Sequence, residues 1–236
     1  MKDLIIKDNE NHAIEADAYR FNHDIRTVVI EEGIKIIGSH AFLQCNELEV
    51  VVLPSTLEKI EAFAFAGCSN LVQINIPENV VEIGASAFES CQFKSLTLPE
   101  GLQSIGQYAF WYCDKLQSVV MPPHIKTIEE SVFFGCSSLG HLELSRDLKI
   151  IRSRAFEFCT SLDSIVLPAG IEKIEKFALG GTKIKEIFIP ENTQEIEKMA
   201  FYRCDYLESA TLPHHFAGSE GDIFWSCSLP ELNWIN

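Results

Sequence analysis

Residues 48–68 read LEVVVLPSTLEKIEAFAFAGC, running from Leu48 through Pro54 and Ala64-Phe65 to Cys68. The same order of apolar, proline, Ala-Phe and cysteine positions returns along nearly the whole chain. Cysteines stand at Cys45, Cys68, Cys91, Cys113, Cys136, Cys159, Cys204 and Cys227. Their steps are 23, 23, 22, 23, 23, 45 and 23 residues; the long step covers two periods, and the position it skips is Thr182. An aromatic lies three residues before each of these rungs: Ala41-Phe42, Ala64-Phe65, Ala87-Phe88, Ala109-Phe110, Val132-Phe133, Ala155-Phe156, Ala200-Phe201 and Ile223-Phe224. The period without a cysteine departs here too, with Ala178-Leu179. A fixed period in the twenties is the signature of a solenoid, one coil per repeat.

After each rung comes a segment of the form L-x-x-L-x-L, as in Leu71-Val72-Gln73-Ile74-Asn75-Ile76 and Leu162-Asp163-Ser164-Ile165-Val166-Leu167. Counting from Ile25–Ile30 to Leu229–Trp234, ten such strands are expected. Proline follows most of them: Pro54, Pro77, Pro99, Pro122, Pro168, Pro190 and Pro213. It has no N–H and a fixed φ, so it stops a strand ladder. Alternate strand residues face opposite sides, so the first, fourth and sixth positions turn inward. The later apolar pair (Leu57 and Ile60, or Ile171 and Ile174), the Ala-Phe and the rung fill the coil from its other walls. One coil cannot cover its own apolar face, so stability comes from stacking, with neighbouring strands in one parallel sheet about 4.8 Å apart.

The unit L-x-x-L-x-L-P-x-x-L-x-x-I-x-x-x-A-F-x-x-C resembles the BspA-type leucine-rich repeat, over about residues 25–235. The resemblance implies a leucine-rich repeat solenoid, a right-handed curved superhelix. Its parallel β-sheet of about ten strands (the count read above) lies on the concave face, and short irregular or 3-10 turns on the convex face. It also implies adhesion or binding of host proteins without catalysis, and a cell-surface or secreted setting. Residues 25–236 form the solenoid, and residues 1–24 a cap or degenerate first repeat. In that opening segment Ala18-Tyr19-Arg20-Phe21-Asn22 imitates A-F-x-x-C with Asn on the rung, and Leu4-Ile5-Ile6 and Ile14-Glu15-Ala16 make either a hairpin or a first coil. Pro230 lies inside the last expected strand, which suits an edge.

Composition narrows the function classes. With 19 Lys and Arg against 34 Asp and Glu, the net charge is −15. Such a chain is repelled by phosphate backbones and anionic headgroups, so neither nucleic acid nor a membrane surface is expected as partner. Apolar residues at 47% and charged residues at 22% indicate a globular chain. The segment Met1–Asp8 holds only three consecutive apolar residues, so no leader or transmembrane segment is expected. That, with eight thiols read as reduced, favours a cytoplasmic setting, against the resemblance. The thiols are expected to be buried small hydrophobes, because rungs about 4.8 Å apart exceed the Cβ separation of about 3.8 Å that a disulfide requires.

No catalytic residue, cofactor or metal is expected. The chain has no P-loop, no G-x-G-x-x-G, no H-E-x-x-H and no C-x-x-C. The seven histidines fall outside the inward positions, and the one cluster of interest is His214-His215 with Glu220 and Asp222. Arg146, Lys149, Arg152 and Arg154 form a basic run suited to an acidic partner or simply to nearby acids.

Two surfaces are the candidate ligand sites. The outward fifth strand position reads Val29, Val52, Asn75, Thr97, Val120, Glu143, Val166, Phe188, Thr211 and Asn233. Here β-propensity accounts for the valines but not for Phe188. Val120, His141, Glu143, Val166 and Phe188 are the expected contacts on this face. The second surface is the turn edge, where Trp111-Tyr112, Phe134, Phe158, Tyr202 and Trp225 stand between Phe and rung. Trp111 and Phe134 share one place on consecutive coils and should touch; with Trp225 they complete the candidate set, with local packing as the alternative. The expected function is a non-catalytic protein-binding or adhesion-like scaffold, its partner a protein ligand. The alternatives are a structural module that self-associates weakly through the solenoid end or the aromatic edge, and, last, a hydrolase with an unrecognised site.

Overall fold

The computed structural model describes residues 2–228 and 231–235. Ten coils stack in a single file, ending at Asn22, Cys45, Cys68, Cys91, Cys113, Cys136, Cys159, Thr182, Cys204 and Cys227. They are numbered 1 to 10 below. Residues 229–230, where the expected last strand opens and Pro230 stands, lie outside the described residues. The strand Glu231–Ile235 follows them and pairs with Ser209–Pro213.

Each coil has three walls. The first carries the expected strands, all parallel. Lys2–Ile6 pairs with Ile25–Ile30 in the register Leu4↔Val28, so residues before 24 already form a coil. The ladder continues through Val50–Val52 to Gln73–Ile74. It resumes as Ser118–Val120 with His141–Glu143, and again as Glu186–Phe188 with Ser209–Pro213. The second wall is a parallel ladder of two-residue strands, built on the later apolar pair. One run extends from Ala13–Ile14 to Ser104–Ile105, and another from Thr127–Ile128 to Glu195–Ile196. The helical content is small: a 3-10 turn at His214–Phe216 and one α-turn at Glu220–Ile223.

The third wall carries the Ala-Phe positions as tight turns. Alternate N–H groups reach the next coil, as when His40, Phe42 and Gln44 donate to the carbonyls of Ala62, Ala64 and Ala66 at 2.7–3.0 Å. This alternation needs left-handed backbone before the Ala and again before the rung. His40 has φ 59° and Gln44 φ 55°, and Phe63, Tyr108, Phe177 and Met199 repeat the first of these sites. No β-branched residue stands at either position in any coil, consistent with its severe steric cost at positive φ.

The core is a file of rings flanked by a file of thiols. Tyr19, Phe42, Phe65, Phe88, Phe110, Phe133 and Phe156 stack with centroids 5.2–5.7 Å apart. The stack breaks at Leu179 and resumes as Phe201–Phe224. Every cysteine Sγ lies 2.9–3.3 Å from the carbonyl of the ring-position residue one coil earlier. The S–H bond suits a rung that must be small, apolar and yet satisfy a buried carbonyl. Thr182 takes the skipped rung, is buried, and turns its hydroxyl to Leu179 O of its own coil at 2.9 Å.

The strand wall is not one continuous sheet. Between rung and strand most coils have two residues, as in Cys68-Ser69-Asn70-Leu71, but Cys91-Gln92-Phe93, Thr182-Lys183-Ile184 and Cys227-Ser228-Leu229 have one. The first two open the periods of 22. At these two the ladder opens between the strand before the short turn and the strand after it, whereas after Cys227 the strand Glu231–Ile235 stays paired. Ser95 keeps only a single bridge to Ser118. The Ser164–Leu167 segment makes no ladder bond to either neighbour, beyond the Lys185 N–H to Asp163 O bond at its start.

Candidate binding surfaces

The openings in the strand wall make shallow grooves, and the expected strand-face residues line them. One, about 650 Å³, lies across Asp163–Ile165, Lys185–Phe188, Ser209 and Thr211. A second, about 510 Å³, brings together His141, Glu143, Arg146 and Val166. A third, about 450 Å³, holds Val120 with Met121 beside Thr97 and Leu98. Val166 is 83% exposed and Phe188 57%, on adjacent coils. His141 Nε2 lies 3.0 Å from Glu143 Oε1.

The turn-wall residues form a separate surface. Trp111 and Phe134 meet at 6.1 Å between centroids, with planes 21° apart. Tyr112 meets both edge-on, and Phe158 meets Phe134 in the same way. Trp111 and Phe134 are half-buried, whereas Tyr112 and Phe158 are exposed. Trp225 is exposed at the far end of the wall, three coils beyond Phe158. Tyr112 and Phe158 lie on the bare backbone of the next coil. A Cβ on Gly135 would come 2.8 Å from the Tyr112 ring, and one on Gly181 2.9 Å from Phe158. The alternation of a ring and a glycine one period apart was available in the sequence as a signal. A second aromatic group was not foreseen: Phe177 meets Tyr202 edge-on, with Arg154 and Lys176 over its face at 5.0 and 4.9 Å. At the opposite end of the strand face Ile5, in register with Val29, is exposed as well.

Charge is arranged differently on the two ladders. Along the second ladder, lysines tie successive coils together: Lys35–Glu58, Lys59–Glu82, Lys149–Glu172 and Lys173–Glu195, all at 2.9–3.2 Å. Most of the basic run is spent in this way. Arg152 bridges Glu129 and Glu175, Arg154 binds Glu157 at 3.0 Å, and Arg146 alone has no ion-pair partner among the described residues. Burial pushes the Glu157 carboxyl up, against the opposing pull of Arg154.

Buried thiols are raised in the same way, Cys45 to about 11. Cys204 is raised by the neighbouring Cys227 thiol and by burial, and the Cys204 thiol lowers Cys227, the one half-buried rung cysteine.

The histidine cluster does not converge. His214 leans on Trp234, His215 Nε2 meets Thr193 O at 3.0 Å, Glu220 accepts from Gly218 N–H, and Asp222 pairs with Lys198. Among the described residues no three His, Cys, Asp or Glu side chains are placed to share a metal ion, and no helix is long and apolar enough to cross a membrane.

Parallel coils with open grooves instead of an enclosed pocket define a repeat solenoid of the leucine-rich class. Residues 35–156 and 126–236 match the BspA type leucine-rich repeat region, and the chain belongs to that family. Its structure is similar to that of a leucine-rich repeat protein from Bacteroides ovatus, with a TM-score of 0.83 and 29% identity over 98% of this chain. This chain spans 60% of that protein's length. The T. pallidum leucine-rich repeat protein TpLRR aligns at 29% identity and TM-score 0.59, over 64% of this chain and 71% of its own. The pneumococcal vaccine antigen PcpA aligns at 27% identity and TM-score 0.60, over 84% of this chain and 53% of its own. No functionally curated protein matches the chain.

Proposed function

We propose that this protein is a non-catalytic scaffold that binds a protein ligand on its strand face, centred on coils 7 to 9. One observation carries the reading: Val166 and Phe188 stand exposed on adjacent coils, each at the edge of a groove in the strand wall. β-Propensity accounts for a solvent-facing valine but not for a phenylalanine beside it, and adjoining exposed apolar groups on a rigid sheet mark interaction surfaces. Family membership supports a scaffold, since repeat solenoids offer extended faces in place of a sequestered site.

Benzoylphenylalanine placed at position 188 and photolysed in native extract should give a discrete protein adduct. Excess unlabelled protein should compete it away, and unlabelled Val166→Ser, Phe188→Ser protein should not. The same probe at Lys198, on the turn wall, should give no such adduct. Equal labelling from both positions, or none from 188, overturns the proposal.

A second reading, self-association through the turn wall, is favoured by the continuous contact of Trp111, Tyr112, Phe134 and Phe158. Light scattering across concentration tests it. Tyr112→Ser, Phe158→Ser should abolish any rise in mass, and a strictly monomeric wild type rejects it.

A further inference from the structure

The groove on coils 8 to 10 leaves its lining charges without ion-pair partners among the described residues. On the same wall, in the coils near the N-terminus, Arg26 and Glu49 occupy the second strand position of adjacent coils and pair at 2.9 Å. Asp163, Lys185 and Glu208 occupy that position in coils 8, 9 and 10, yet none has an ion-pair partner among the described residues. Glu186, next to Lys185 and facing the groove, has none either. On the second ladder lysines neutralise carboxylates from coil to coil; here Asp163, Lys185 and Glu186 line the groove unpaired beside the exposed Phe188, with Glu208 one coil further on.

The floor of the groove adds a third feature. The backbone N–H groups of Ser164 and Ile165, which line it, bond to no carbonyl of either neighbouring coil. A ligand presenting its own extended backbone therefore finds polar main-chain groups that the fold has left open.

We infer that the partner enters this groove with a basic, extended peptide segment. Its apolar side chains lie on Val166 and Phe188, and its ammonium or guanidinium groups meet Asp163, Glu186 and Glu208. This rests on the proposed strand-face function and specifies the partner's chemistry. Opposite charge steers encounter, and apolar anchors at the centre slow departure. The net charge of −15 acts in the same direction at long range.

The test uses a fluorescein-labelled decapeptide of alternating arginine and leucine, with two control peptides and a neutral oligosaccharide. One control carries glutamate for arginine, the other serine for leucine. Anisotropy should show saturable binding of the first peptide only, weakened several-fold on raising salt from about 50 to about 500 mM. Asp163→Asn with Glu186→Gln should weaken it at least tenfold, and so should Phe188→Ser, with unchanged thermal melts. Glu58→Gln with Glu82→Gln, which remove acids on the second ladder, should leave it intact. Amide shifts on binding should centre on Ser164, Glu186, Phe188 and Thr211.

Equal weakening by the second-ladder variant would reduce the effect to diffuse charge attraction and overturn the inference. So would binding of the glutamate peptide, or amide shifts caused by the oligosaccharide alone. Failure of the underlying reading looks different: a protein adduct at position 188 that survives Asp163→Asn, Glu186→Gln keeps the scaffold function and rejects the basic partner. Peptide binding without any adduct keeps the chemistry of the groove and rejects the protein ligand.

Discussion

Thr193 occupies a place that other coils give to Leu57, Val80, Leu102, Ile125, Leu148 or Ile171. It is buried there, and its hydroxyl has no hydrogen-bond partner. An orphaned hydroxyl costs about 1–3 kcal/mol, and valine has the same shape without it. Thr193→Val should therefore stabilise the protein by about 1 kcal/mol, raising the melting temperature by about 2–4 °C for a chain of this size. A lower melting temperature would show that the hydroxyl is satisfied. The rung thiols make a second residue-scale prediction. An unfolded thiol ionises near about pH 8.5, whereas burial holds those of the ladder protonated, Cys45 up to about 11. Across that interval the folded state binds more protons than the unfolded state. The stabilisation is thus complete below about pH 8.5 and is lost as pH rises through the folded values. Urea midpoints should hold steady up to that pH and fall steeply towards pH 11, and Cys91→Ala should flatten the fall. Cys227, half-buried and lowered, should be the first thiol to react with a disulfide reagent in native protein. Simultaneous reaction of all eight would contradict the ladder.

Within a coil, the pre-rung position must adopt positive φ and also accept whatever projects from the coil before. Gly181 has φ +67° beneath the Phe158 ring, while Gly67 has φ +70° beneath the single methylene Cγ of Gln44, which a change of rotamer can carry away. Both lose glycine's freedom on substitution, but only at Gly181 is the obstruction rigid. Gly181→Ala should cost about 1–3 kcal/mol, and Gly67→Ala clearly less. Chemical denaturation of the two variants decides this, and equal losses would mean that Phe158 swings away freely. The elements also show what could be read beforehand. Inward strand positions, the ring file and the rungs follow from a period that never loses phase, so they were legible from Leu48–Cys68 outward. Val166 and Phe188 were legible as exposed through strand alternation. The grooves beside them were not: a binary apolar pattern is indifferent to one residue missing between rung and strand. For the opening between coils 8 and 9 the signal was Thr182-Lys183-Ile184, and for that between coils 4 and 5 Cys91-Gln92-Phe93, whose consequence lies in hydrogen bonds between coils rather than in side-chain pattern; the opening between coils 7 and 8 follows a turn of ordinary length and has no such signal. The second ladder is likewise legible only as two apolar positions, because two-residue strands show no alternation.

Across the whole molecule the two ladders break at different junctions. Coils 4 and 5 lose the strand ladder but keep Glu82–Ile83 paired with Ser104–Ile105. Coils 5 and 6 lose the second ladder but keep the bridge of Ser95 with Ser118. Coils 7, 8 and 9 lose the strand ladder while Ile150–Ile151, Lys173–Ile174 and Glu195–Ile196 stay joined. No junction is left to the turn wall alone, which preserves coupling between neighbours in a nearly one-dimensional fold. The junctions around coil 8 are nevertheless the weakest. They lack the strand ladder, the ring stack is interrupted at Leu179, and Thr182 gives its hydroxyl to Leu179 O of its own coil, with only a 3.5 Å approach to Cys204 Sγ across, where the cysteines bond the carbonyl of the coil before. In a stack of nearest-neighbour interfaces, the weakest one sets where cooperativity fails. The tryptophans are placed to report it, with Trp111 in coil 5 and Trp225 and Trp234 beyond the weak junctions. In a variant retaining only Trp111, the fluorescence transition in urea should come later than in one retaining only Trp225. Hydrogen exchange should release amides of coils 8 to 10 before those of coil 6. Restoring the stack with Leu179→Phe and the cross-coil bond with Thr182→Cys should bring the two transitions together. Coincident transitions in the unmodified background would mean that the second ladder alone carries the coupling, and the weak junction would not exist.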